Sequence, residues 1–214
     1  MFKINIHLFT AAGPEAVRRL AELGPGIFLD LKYHDIPNTV AGAVAAAAEL
    51  PGVRLMNVHA SGGQAMMRAG AETLAAAHPG AKRPSLIGVT ILTSMDGAAL
   101  RDIGMTGTLA ARVVGLARLA KRSGLDGVVA SPQEVRQIRK ACGKDFLIVV
   151  PGVRPAQAGG AKRVDDQARV ATPGETIKAG ADFLVIGRPI AAAPDPRAAA
   201  EAIVQEMAEA MRGR

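Results

Sequence analysis

Short apolar runs rich in Val, Ile, Leu and Phe alternate along the chain with longer alanine-rich segments whose apolar positions recur at helical spacing. The short runs predict strands over 2–5, 27–32, 54–60, 85–92, 127–130, 146–150 and 183–187. The intervening segments predict helices near 14–23, 38–49, 63–77, 108–122, 132–141 and 173–178, with a last one over 196–211. Pro14, Pro132, Pro173 and Pro196 stand at or near predicted helix starts, where the fixed φ of proline suits the first turn. Repeated strand–helix alternation implies the α/β class, a parallel sheet covered by helices. No compositional break marks a linker, so residues 1–214 read as a single (β/α) barrel domain of the (β/α)8 TIM type. Seven strands are readable where a closed barrel needs eight; the chain opens on a strand and ends on a helix, so the expectation is a barrel without its first βα unit. The stretch 151–171 is longer than a usual βα connection and carries Gly159 and Gly160, the profile of a lid.

Composition narrows the classes. With 49% hydrophobic and 21% charged residues and a mean hydropathy of +0.19, the chain is neither disordered nor membrane-spanning in character. Its longest apolar stretches, such as 40–48, fall far short of the roughly 18 residues that a membrane helix needs. The opening MFKINIHLF lacks the apolar core and small-residue cleavage site of an export signal. A single cysteine, Cys142, excludes internal disulfides and thiolate clusters and suits the reducing cytoplasm. The 26 basic residues against 19 acidic give +7, which raises the question of an anionic partner. Those cations scatter over predicted helix surfaces (Arg18, Arg118, Lys121, Arg136) and no aromatic platform interleaves them, so nucleic acid is not expected.

Parallel α/β folds place their ligands beyond the C-terminal ends of the strands. The second predicted strand reads Ile27-Phe28-Leu29-Asp30-Leu31-Lys32. Asp30 and Lys32, two residues apart, share a face with Phe28, while Leu29 and Leu31 face the helices. A carboxylate and an ammonium on an inner face are costly to desolvate, so the pair is either an internal strut or a working site. Other strand ends add Lys3, the run Asn57-Val58-His59, and Thr90 to Ser94. His59 reads as a residue that supports the site. The last strand ends in Gly187-Arg188, where glycine opens backbone N–H groups to an anion and arginine adds a charged fork, at the common phosphate position of this architecture.

The runs FLDLKYHDIPNTV (28–40), NVHASGG (57–63), VTILTSMD (89–96), GLDGVVASPQE (124–134), PGVRP (151–155), DDQARVATP (165–173) and VIGRPI (185–190) together resemble the bacterial orotidine 5′-phosphate decarboxylases, in the family's order and over essentially the whole chain. The D-x-K-x-x-D core alone is shared with sugar-phosphate decarboxylases and aldolases of the same barrel suprafamily; the remaining blocks are specific to the orotidylate branch.

The resemblance implies a lyase that converts orotidine 5′-phosphate to UMP and CO2 in pyrimidine synthesis without metal or organic cofactor. Lys32 would deliver the proton to C6, in an array Lys3, Asp30, Lys32 and Asp35. It implies a homodimer with Asp35 and Thr39 reaching the neighbouring subunit's site. Thr93 would bond the pyrimidine, Lys3 and Asp30 the ribose region, and Arg154, Gln167, Gly187 and Arg188 the phosphate. Two departures accompany it. The family usually has glycine two residues after the first-strand lysine, where this chain has Asn5, and the family's first strand, with a ribose-binding aspartate, has no counterpart in these residues. The alternatives are a metal-dependent sugar-phosphate decarboxylase or aldolase, and an inactive, N-terminally truncated phosphate-binding barrel.

Overall fold

The computed structural model describes residues 1–79, 83–155 and 171–212. Strand and helix alternate as the apolar periodicity predicts: β1 (Phe2–Asn5), α1 (Ile6–Ala21), β2 (Ile27–Tyr33), α2 (Pro37–Ala48), β3 (Val53–His59), α3 (Gly63–Ala77) and β4 (Ser85–Val89) come first. They are followed by α4 (Gly97–Asp102), α5 (Leu109–Arg122), β5 (Gly127–Val129), α6 (Val135–Cys142), β6 (Leu147–Pro151), α7 (Pro173–Ala179), β7 (Phe183–Val185), α8 (Arg188–Ala191) and α9 (Pro196–Arg212). Short 3-10 turns cover Ala60–Gly62 and Pro132–Glu134. The fold is α/β of the TIM-barrel type, with seven strands among the described residues. No helix among them is long and apolar enough to cross a membrane.

The chain divides into two compact units, one of Met1–Thr90 with Leu116–Val128, the other of Ile91–Gly115 with Val129–Arg214. In the first unit β1, β2, β3 and β4 pair in parallel in chain order. Their core is Ile4, Ile27, Leu29, Met56, Leu86 and Ile87, all essentially inaccessible, each worth about 1.5–3 kcal/mol of burial. Helix α3 lies close against β4 at Gly70, which presents no side chain. A Cβ there would lie 3.3 Å from Leu86 Cδ2 and 3.5 Å from Val44 Cγ2. In the second unit β6 pairs with β7 in parallel.

Each unit braces the N-terminal end of a strand with an aspartate that sits just before the next one. Asp126 accepts from the Leu86 backbone N–H at 2.7 Å and from both Arg83 terminal nitrogens at 2.7 and 2.8 Å. Asp182 accepts from the Ile148 N–H at 2.7 Å and from Arg139 Nη2 at 2.7 Å. In both, the aspartate's own N–H returns a bond to the same strand residue, so a local GLD or GAD sequence closes a reciprocal pair. These braces lie at the strand ends opposite those that carry the candidate chemistry.

Several boundaries differ from expectation. The strands predicted over 54–60, 85–92 and 183–187 end earlier, at His59, Val89 and Val185, where the parallel register stops. Helix α1 begins at Ile6 rather than at 14, because Asn5 Oδ1 caps it by accepting from Leu8 N at 2.9 Å. It kinks at Gly13 (φ 61°, ψ −159°), and Pro14 opens its second part as predicted. Helices α4 and α8 were not predicted. Both are too short for a periodic signal, and α4 is nucleated by Asp96, whose Oδ1 accepts from Ala98 N and Ala99 N. The lid expected around Gly159 and Gly160 falls largely in residues 156–170, outside the described residues. Its flanks are seen to meet, with Val153 bridging Ala171 and Arg154 N donating to Ala171 O at 3.0 Å.

Candidate active site

The first unit gathers three charged side chains, Lys3 of β1 and Asp30 and Lys32 of β2. Asp30 Oδ2 lies 2.9 Å from Lys3 Nζ, and its Oδ1 lies 2.6 Å from Lys32 Nζ. Asn57 on β3 donates from Nδ2 to the same Oδ1 at 2.7 Å. Asp30 is buried, whereas the Lys3 and Lys32 side chains keep 28% and 32% of their surface. Burial pushes the Asp30 carboxyl upward, but the Lys32 hydrogen bond, the Lys3 and Lys32 charges and the Asn57 amide outweigh it and hold the group below the usual carboxylate value. The site therefore holds a fixed anion between two cations.

The meeting of Asp30 and Lys32 agrees with their two-residue spacing, but the strand is not regular there. Lys32 has φ 55°, the sole positive φ of a non-glycine residue among those described. The β2–β3 register shifts between Leu29 and Tyr33, and Lys32 N donates at 2.8 Å to Asn57 Oδ1 instead of to a strand carbonyl. An unfavourable backbone held by surrounding contacts is a common mark of a functional position. In the sequence Asn57 stands out only as one of several polar strand-end residues. The signal in the sequence is an asparagine inside the apolar run of β3, and the structure shows its amide fully buried.

His59, at the end of β3, stacks on His34 with ring centroids 5.4 Å apart and planes tilted by 33°. Burial lowers its pKa first, and the neighbouring His34 and Lys32 charges add to this against an opposing pull from Asp30, so the neutral ring is favoured. Asp35 is exposed and accepts from its own neighbour, Ile36 N, at 2.6 Å; among the described residues it forms no ion pair with Lys32 of the same chain. Thr39 is exposed on the first turn of α2.

The second unit holds the other expected site residues. Thr93 is buried just beyond β4. Arg154 is half-buried beside the Val153–Ala171 bridge. Gly187 is the N-cap of α8, with open space where a Cβ would stand, and its carbonyl accepts from Ile190 N and Ala191 N at 2.9 Å each. Arg188 is exposed at the first position of α8. Gln167 lies outside the described residues. Among the described residues no group of three His, Cys, Asp or Glu side chains is placed to hold a metal ion.

The described residues thus combine an α/β fold of the TIM-barrel type with a Lys–Asp–Lys cluster on β1 and β2 in the first unit and a Gly-Arg step after β7 in the second. Comparison with known proteins narrows this. The family model described as "Orotidine 5'-phosphate decarboxylase / HUMPS family" matches residues 1–203, and the chain belongs to that family. A curated orotidine 5'-phosphate decarboxylase of Geotalea uraniireducens is 56% identical over 207 residues, spanning 97% of this chain and 84% of the relative. One of Syntrophotalea carbinolica is 54% identical over 213 residues, 99% of this chain and 85% of the relative. A crystal structure of orotidine 5'-phosphate decarboxylase from Lactobacillus acidophilus superposes with a TM-score of 0.83 at 41% identity, covering 96% of this chain and 85% of that one. That from Pyrococcus horikoshii gives 0.72 at 28% identity, with 96% and 85% covered.

Proposed function

We propose that this chain is a carboxy-lyase that converts orotidine 5′-phosphate to UMP and CO2 in pyrimidine synthesis. The carrying observation is the Asp30 carboxylate clamped between Lys3 and Lys32, in a chain whose curated relatives at 53–56% identity bear that enzyme's name. Breaking the C6–carboxylate bond leaves an electron pair in the plane of the pyrimidine, which the ring delocalises poorly. A preorganised ammonium beside C6 stabilises that charge without reorganisation, and Lys32 then gives its proton to C6 and regains one from solvent. Asp30, below its ordinary pKa, remains an anion near the departing carboxylate and orients both lysines. No metal or organic cofactor enters this scheme.

Thr93 bonds the pyrimidine in this reading, Lys3 and Asp30 the ribose region, and Arg154, Gln167, Gly187 and Arg188 the phosphate. Phosphate binding far from C6 then contributes to closing the site. The working form is a homodimer in the cytoplasm, with Asp35 and Thr39 serving the neighbouring subunit; the exposure of the whole run His34–Thr39, with Ile36 at 66%, supports this. The test is turnover of orotidine 5′-phosphate in excess chelator, with a melt in saturating UMP. Persistent UMP formation supports the reading. Loss in chelator, restored by divalent metal, would favour a sugar-phosphate type of chemistry, and absence of both turnover and a UMP-induced shift would mark a non-catalytic barrel.

A further inference from the structure

Asn57 is fully buried in the middle of β3, flanked by Met56 and Val58, which are equally inaccessible. A polar side chain there is costly unless every group is paired. Its two partners decide the amide orientation: the Asp30 carboxylate can only accept, so Nδ2 faces Oδ1 at 2.7 Å, and the Lys32 N–H can only donate, so the Asn57 oxygen faces it at 2.8 Å. One side chain thus spans from the carboxylate that pairs with the Lys32 ammonium to the backbone from which that ammonium springs. The Lys32 backbone is the left-handed one, and the register shift between Leu29 and Tyr33 takes its N–H away from the regular ladder. Without the Asn57 oxygen, that N–H would be left unpaired. Without the Asn57 nitrogen, Asp30 Oδ1 would be held by Lys32 alone and could follow it.

We infer that Asn57 is a positioning residue: by bonding the Asp30 carboxylate and the Lys32 N–H at once, it locks the left-handed turn at Lys32 and the ion pair into a single geometry, so that the ammonium is presented in place before substrate arrives. This rests on the reading above that Lys32 and Asp30 act on the substrate. Leucine at this position keeps the number and branching of the side-chain heavy atoms and removes both bonds. Aspartate keeps the acceptor for Lys32 N–H but sets a second carboxylate against Asp30.

The test compares wild type, Asn57→Leu and Asn57→Asp in two measurements: kcat and KM for orotidine 5′-phosphate, and a 13C NMR titration of the Asp30 carboxyl carbon in the free protein, its signal identified by loss in Asp30→Asn. In folded variant protein, kcat falls roughly tenfold or more, as expected for losing a hydrogen bond to a charged group, while KM stays within about threefold. The Asp30 midpoint moves upward in both variants, because the carboxylate loses a donor in one and gains a like charge in the other. Where Asn57→Leu does not fold, Asn57→Asp carries the same two readouts. An Asp30 midpoint that stays at the wild-type value overturns the inference whatever kcat does, and so does a raised midpoint with wild-type kcat. Should wild type fail to turn over orotidine 5′-phosphate, the proposed reaction is wrong, and the Asp30 titration still decides whether Asn57 holds the carboxylate.

Discussion

Replacing Asp30 with asparagine keeps the shape of the side chain and removes the one charge that both lysines share. The new amide nitrogen would face either Lys3 or the Lys32–Asn57 side, each of which offers only donors, so one contact becomes donor against donor. At an effective permittivity near 20, unit charges at the observed 2.6 and 2.9 Å attract by about 6 kcal/mol each before desolvation. Desolvation offsets most of this, and breaking a buried pair by removing one partner costs about 3–5 kcal/mol net. Because Lys3 and Lys32 retain 28% and 32% of their side-chain surface, water relieves part of the loss, which places the expected cost near 3 kcal/mol. For a chain of this size that lowers the melting midpoint by roughly 6–12 °C. Urea and thermal unfolding at pH 7 and low salt measure it. The sign with pH follows from the depressed native pKa of Asp30: its contribution is complete above the unfolded value near 3.9 and is lost as pH falls through the lower native value. An Asp30→Asn protein as stable as wild type at pH 7, or more stable, would mean that the three-group cluster is a strained arrangement and not a satisfied one.

His59 is held neutral in the folded state, so acidification should cost stability from about pH 6.5 downward through its lower native pKa, and His59→Gln should flatten that part of a stability–pH curve; an unchanged curve contradicts the assignment. Asp126→Ala strips the Arg83 fork and the Leu86 N–H of their acceptor, and a urea titration should show a loss of about 2–4 kcal/mol with UMP affinity per folded molecule unaltered. Gly88→Val places branched carbon where a bare Cβ already meets Leu125 Cδ1 at 3.2 Å, Ala120 Cβ at 3.3 Å and Ala60 Cβ at 3.4 Å; overpacking there should lower stability by about 1–3 kcal/mol in the same assay.

The periodicity carried most of the fold because strands and long helices bury faces, and faces repeat. Leu29, Met56 and Leu86 are buried where alternating or continuous apolar runs put them. What escaped was set by single contacts. The first part of α1 depends on one cap at Asn5, the position where glycine is usual in the family, and the following Gly13-Pro14 reads as a helix start although the chain only kinks there. The charged cluster was legible from the two-residue spacing of Asp30 and Lys32. Its support was not, because a left-handed lysine and a register shift leave no trace in a hydrophobic pattern, and the role of Asn57 follows only from what lies across the strand gap. The expected roles of Arg154, Gly187 and Arg188 came from resemblance and strand-end position.

The proposed chemistry turns on Lys32 supplying the proton that replaces carbon dioxide at C6. Its most direct test is single-turnover conversion of orotidine 5′-phosphate to UMP by wild type and Lys32→Ala, at enzyme concentrations where a melt shift shows both saturated with UMP. Wild type should form UMP, and the variant's rate should be lower by at least a factor of about 10², the smallest contribution expected of a positioned proton donor. Equal rates in two proteins that bind UMP equally would contradict it.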